Sequence, residues 1–97
     1  MSVIHSFSDL EFETLYDGVQ AVVGYGDTYE VSIVQHGGSY GGKQGLYEIA
    51  VFENGHQKTM PGITESYDTV KGYLSKQDVS IILMKMKYIT GKDGVQI

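Results

Sequence analysis

Between residues 19 and 36 the chain alternates apolar and polar side chains with a period of two, and turn dipeptides bracket each run. Val19, Ala21, Val23 and Tyr25 fall on one side of an extended segment. Tyr29, Val31 and Ile33 repeat the pattern, with Glu30 and Ser32 on the other side. A period of two marks a half-buried strand, because successive side chains point to opposite faces of a sheet. Asp17-Gly18 and Gly26-Asp27 tolerate the positive φ of tight hairpins, so neighbouring strands are expected to run antiparallel. The pattern extends outward: residues 10–16 read as a strand before the first turn, and residues 46–53 as one closed by Asn54-Gly55. Residues 57–60 read as a short partner before Pro61-Gly62 ends the run.

The C-terminal third changes period. Residues 67–74 read as a short helix weakened by Gly72. Ser75 is an N-cap with Asp78 three residues on, a capping box using Asp in place of Glu. Beyond it Val79, Ile82, Leu83, Met86 and Ile89 recur at helical spacing. Met84, Lys85, Met86, Lys87 and Tyr88 also alternate as a strand would; the cap and the length of the apolar pattern favour the helix. The fold class predicted is α+β: an antiparallel four- to five-stranded β-meander with one or two C-terminal helices packed on one face. With 97 residues, 41% of them hydrophobic, the chain is expected to form one domain over residues 1–97 around one core. Cysteine is absent, so disulfides, thiolate nucleophiles and cysteine-based zinc sites are excluded. No apolar run reaches the ~18 residues of a membrane span, and a soluble, cytoplasmic protein is expected.

Charge is distributed unevenly. The net charge is −5, and all seven basic residues are lysine. Residues 1–42 hold no lysine but six acids: Asp9, Glu11, Glu13, Asp17, Asp27 and Glu30. From Lys71 onward five lysines face only Asp78 and Asp93. Direct nucleic-acid binding is not expected, since phosphate tracking needs clustered Lys and Arg and bidentate base readout needs Arg. On a continuous strand Asp9, Glu11 and Glu13 would share one face at about 6.6 Å spacing, close to that of phosphates along a nucleic-acid strand. Such an acidic face, extended by Glu30, has the form of a DNA mimic that occupies a basic groove on a protein partner; an ordinary solvated sheet face is the plainer alternative.

Tests for catalysis find no complete set. Residues 37–43 fit the G-x-x-x-x-G-K skeleton of a phosphate loop, but Gln44 replaces the magnesium-binding Ser or Thr, and a strand follows where a helix N-terminus is needed. The segment reads instead as a long flexible hairpin loop, or as a contact loop in which Tyr40, set among glycines, docks on a partner. His5, His36 and His56 lie in separate segments, and His36 with Ser39 lacks an orienting third group. No enzyme activity and no cofactor or metal is expected. The C-terminal helix carries a second apolar row, Ile81, Met84 and Tyr88, which suggests a homodimer interface.

Residues 45–55 (GLYEIAVFENG) and 68–79 (DTVKGYLSKQDV) resemble segments of small bacteriophage and prophage accessory proteins. In size, acidity, lack of cysteine and sheet-plus-helix plan the chain is also similar to anti-CRISPR and other anti-defence proteins. That resemblance implies a phage-encoded inhibitor acting in the host cytoplasm on a host protein or protein–nucleic acid complex. The expected function is therefore a non-enzymatic protein-binding module. Asp9, Glu11, Glu13, Asp17, Asp27, Glu30 and Tyr40 are its candidate contacts. A homo-oligomeric ligand binder with a pocket between sheet and helices is the alternative.

Overall fold

The structure is a computed structural model and describes residues 2–97. Eight strands form one antiparallel sheet: β1 (Val3–Ile4), β2 (Glu13–Leu15), β3 (Gly18–Tyr25), β4 (Tyr29–Gln35), β5 (Tyr47–Glu53), β6 (His56–Gln57), β7 (Val70–Leu74) and β8 (Gly94–Gln96). One helix, α1 (Lys76–Thr90), packs against it. The α+β class is as expected, with more strands and a single α-helix. The central meander β3-β4-β5 follows the alternation read from the sequence. Around it the outer strands share edges: β2 pairs with the first part of β3 and β8 with its last three residues, while β7 and β6 divide the outer edge of β5.

The covered face is built from Ala21, Val23 and Tyr25 of β3, Val31 and Ile33 of β4, and Tyr47, Ile49 and Val51 of β5. Val79, Ile82, Leu83 and Met86 of α1 close over it. Fully burying each such side chain stabilises the fold by roughly 1.5–3 kcal/mol. The helix begins where the sequence places it. Ser75 Oγ accepts the Asp78 N–H at 3.0 Å, and Asp78 Oδ2 accepts the Ser75 N–H at 3.0 Å. Gly91, at φ 70°, ends it in the left-handed conformation. The buried Tyr25 hydroxyl donates to the Leu83 carbonyl at 3.3 Å and so ties sheet to helix; desolvation pushes its pKa up.

Four expectations are corrected. Residues 67–74 hold no helix; they contain β7, which hydrogen-bonds the free edge of β5 through a bulge opposite Glu48, with Tyr73 at φ 57°. An unpaired inner-strand edge offers backbone partners that outweigh a marginal helical pattern broken by Gly72. Residues 10–16 are a strand only from Glu13, because Phe7, Leu10 and Phe12 turn inward against the core. Phe7 packs edge-on against Tyr47 at 5.0 Å between ring centroids, and Phe12 lies 5.8 Å from Tyr47. Ile89, expected on the core stripe, is exposed. In the first hairpin the two central residues are Tyr16 and Asp17, one position earlier than Asp17-Gly18. Gly18 is required for a different reason: a Cβ there would stand 1.9 Å from the Gln35 carbonyl oxygen.

Candidate functional site

In a sheet with helices on one side, the uncovered face is ordinarily polar. Here it is not. The strand register places Val22, Ser32, Ala50 and Val70 in one cross-strand row. The next row holds Val95, Gly24, Glu30, Phe52 and Gln57, and the row on the other side holds Glu13, Gln20, Val34 and Glu48. Val22, Val34, Ala50, Phe52, Val70 and Val95 are half-buried by their neighbours, and none belongs to the core cluster. The gap over Gly24 is filled by Ile97, whose Cδ1 would lie 3.2 Å from a Cβ there; Ile97 is itself 72% exposed. The centre of the face is therefore largely apolar, formed by Val22, Val34, Ala50, Phe52 and Val70 around a buried Ser32 whose hydroxyl accepts from Gln20 Nε2 at 2.9 Å. Its charged members are Glu13, Glu30 and Glu48. Among the described residues the one strand lysine, Lys71, pairs with Ile49 and belongs to the covered face.

The expected row of Asp9, Glu11 and Glu13 does not form. Asp9 ends a 3-10 turn (Phe7–Asp9), where Oδ2 accepts the His5 and Ser6 N–H groups at 2.9 and 3.2 Å. Those donors hold its carboxyl below the usual carboxylate range. The Glu11 backbone is clamped by the Gln96 side-chain amide on both its N–H and C=O. Only Glu13 stands on a strand, beside Gln20. The inward turn of Phe7, Leu10 and Phe12 breaks the parity on which the row depended. Asp17 is also committed: its Oδ1 accepts the Gly37 N–H at 3.0 Å, which lowers its pKa and ties the first hairpin to the glycine loop. Asp27 lies exposed in the β3–β4 turn. Glu30 is exposed on the apolar face next to Phe52, as just described.

The glycine loop, expected to be flexible, is a compact set of turns. The buried Ser39 hydroxyl accepts the His36 N–H at 3.0 Å and donates to the His36 carbonyl at 2.9 Å. Gly41 and Gly45 take left-handed φ values of 87° and 76° around a 3-10 turn (Gly42–Gln44). The loop then enters β5, so no helix N-terminus faces a phosphate. Tyr40 projects from it, 57% exposed, and its N–H donates to Glu48 Oε1 at 3.3 Å. The loop thus borders the apolar face at Glu48. Beside Tyr40 stands Tyr73, whose N–H donates to the Tyr40 carbonyl at 3.2 Å. Tyr16, edge-on to His36 at 5.5 Å, is exposed at the same end. Tyr16 and Tyr73 both hold positive φ, at 56° and 57°. Bulky residues rarely do so, and such strain concentrates at binding and switch regions.

Catalytic geometry is not assembled by these groups. Ser39 Oγ bonds the His36 backbone rather than its ring, and His36 Nδ1 accepts the Gly38 N–H at 3.0 Å. Among the described residues no three His, Asp or Glu side chains converge as a metal site, and no helix is long and apolar enough to cross a membrane. The space between sheet and helix is filled by Tyr25, Ile33, Ile49, Leu83 and Met86, each under 2% exposed. Hollows of about 470 and 530 Å³ flank the outer side of α1 instead. Ile81, Met84 and Tyr88 stand on that outer side, 39%, 50% and 79% exposed.

Sequence reasoning missed the apolar open face, although its signal was present: Val22, Val34, Ala50 and Phe52 occupy the positions that strict alternation assigns to water. No protein-family model, curated protein or solved structure matches the chain.

Proposed function

We propose that the protein is a non-enzymatic binding module whose docking site is the uncovered sheet face, with Tyr40 at its corner. One observation carries this reading: an apolar centre formed by Val22, Val34, Ala50, Phe52 and Val70, whose charged members are Glu13, Glu30 and Glu48 with no strand lysine among them. An apolar patch rimmed by one sign of charge fits a partner segment with the complementary pattern. The occupant is a protein segment with an apolar stripe and lysine or arginine on its flanks. Clustered lysine and arginine of this kind line the nucleic-acid channels of DNA- and RNA-handling proteins. An inhibitor that covers a channel of this kind, of the sort the phage resemblance implies, is the narrower form of the proposal. Tyr16, Tyr40 and Tyr73 would add rigid amphipathic contacts at the loop end.

The test is a calorimetric titration with two synthetic amphipathic helices that share an apolar stripe, one lysine-flanked and one glutamate-flanked. Micromolar binding of the basic helix alone is expected, weakening as salt screens the rim. Phe52→Lys and Glu30→Lys should each abolish it without changing the fold by circular dichroism. Equal binding of both helices, or full binding by Phe52→Lys, would sink the reading. For the narrower form, double-stranded DNA should displace the protein from a basic partner, whereas ternary binding would exclude channel blocking.

A further inference from the structure

We infer that the outer face of α1 pairs with the same face of a second copy, antiparallel, about a two-fold axis near residues 82 and 83. The helix carries two stripes. Val79, Ile82, Leu83 and Met86 are buried against the sheet. Gln77, Ile81, Met84 and Tyr88 follow spacings of four, three and four on the opposite side, all exposed. That is the 3.5-residue repeat of a helix–helix seam, and a seam left in water has no role in a monomer's core.

Charge order selects both the occupant and its direction. Along one flank of the seam Asp78 lies in the first turn and Lys85 two turns later. Within the protomer Asp78 Oδ2 accepts the Ser75 N–H and Lys85 Nζ donates to the Gly62 carbonyl at 3.2 Å, so the pairing uses Asp78 Oδ1 and redirects the exposed Lys85 ammonium. Turning a second helix through 180° sets Asp78 of each copy beside Lys85 of the other, once on each side of the axis. A parallel pair would put this flank of the two helices on opposite sides of the dimer, so Asp78 would meet no Lys85 across the seam. The antiparallel arrangement also brings Ile81 level with Met84 of the other copy, and Gln77 level with Tyr88. Tyr88 then finds a place in the hollow of about 530 Å³ beside the helix, whose walls include Ile4, His5, Gln77 and Ser80. The other apolar surface, the open sheet face, is unsuited to a second copy, because its charged members are all carboxylates and pairing would bring acids of both copies onto one patch with no strand lysine to answer them. Each face thus selects a different occupant. The helix seam is self-complementary and the sheet face is self-repelling.

Pairing through α1 leaves both sheet faces pointing outward, so a dimer of this form is bivalent. The inference itself does not rest on the proposed function and is tested without a partner. Sedimentation equilibrium on the whole chain should give twice the 10.7 kDa protomer mass at about 100 μM, where small self-interfaces saturate. Met84→Glu, at a surface position, should give the protomer mass while keeping the far-UV circular dichroism spectrum of the unaltered chain. Orientation is read by thiol crosslinking, since the chain has no cysteine of its own. In the antiparallel pair, positions 84 of the two copies are offset by about 4.5 Å along the axis and positions 88 by about 16 Å, at 1.5 Å rise per residue. A short bis-maleimide should therefore link Met84→Cys and leave Tyr88→Cys unlinked. A protomer mass for the unaltered chain, a dimer that survives Met84→Glu, or equal crosslinking at both positions would each overturn the inference.

Discussion

Replacing Gly42 by alanine separates a built loop from a flexible one. A Cβ on Gly42 would stand 1.9 Å from the His36 carbonyl oxygen and 2.5 Å from Ser39 Oγ. The first of these is backbone, so the loop must open by about 1 Å or more. Opening strains the Ser39 hydroxyl's bonds to the His36 N–H and C=O and the Gly42 N–H bond to the Ser39 carbonyl. Overpacking costs roughly 1–3 kcal/mol, and weakening these hydrogen bonds without breaking them adds about 1 kcal/mol in all, so a total near 3 kcal/mol is expected. Gly45 is the internal control. It lies three residues on, at φ 76°, with nothing within 4 Å of a Cβ, so alanine there costs only about 1 kcal/mol of left-handed strain. The measurement is urea unfolding of both variants, followed by far-UV circular dichroism. With a slope of about 1.5 kcal/mol per M, the Gly42→Ala midpoint should fall about 1.3 M below that of Gly45→Ala. In a flexible loop both substitutions would be neutral or slightly stabilising. Midpoints that agree within about 0.3 M would refute the compact loop.

Further outcomes are expected elsewhere in the chain. Tyr25→Phe removes the buried hydroxyl donor to Leu83 and should cost about 1 kcal/mol in urea unfolding; no change would mean that this bond does not hold sheet to helix. Phe12→Ala should cost about 2 kcal/mol by opening the Phe7–Phe12–Tyr47 cluster. It should also expose residues 5–12 to limited proteolysis, and continued resistance would show that this segment is held by other contacts. Backbone donors hold Asp9, Asp17 and Asp78 below their ordinary value of 3.8. A carboxylate depressed in the folded state contributes stability that is present above its unfolded pKa and lost as pH falls through the folded one. Stability should thus decline below about pH 4, and Asp78→Asn should flatten that decline; an unchanged acid limb would contradict the capping-box assignment.

The central meander and the helix start were legible in the sequence because their determinants are local. Alternation within Val19–Tyr25 and within Tyr29–Ile33, the Asn54-Gly55 hairpin, and the Ser75–Asp78 box each act over four to eight residues. The glycine loop was legible as a position but not as a conformation. Its compactness depends on Ser39 turning back onto His36 and on Asp17 reaching Gly37 from another hairpin. The strands of two to five residues were hidden for a related reason. Val3–Ile4, Val70–Leu74 and Gly94–Gln96 have little strand signal of their own and exist because longer neighbours leave backbone edges to be paired.

For the candidate site the same division holds. The sequence by itself determined an acidic N-terminal half, an arginine-free chain and a helix apolar on two sides, since these follow from composition and period alone. Only the tertiary structure decided which acids share a surface. Phe7, Leu10 and Phe12 fold inward to bury aromatic area, which removes Asp9 and Glu11 from the expected row and leaves Glu13 to join Glu30 and Glu48 across three strands. Those carboxylates are brought together by backbone hydrogen bonds between segments far apart in the chain. Their shared face, and the apolar centre it encloses, therefore exist only once the sheet has formed.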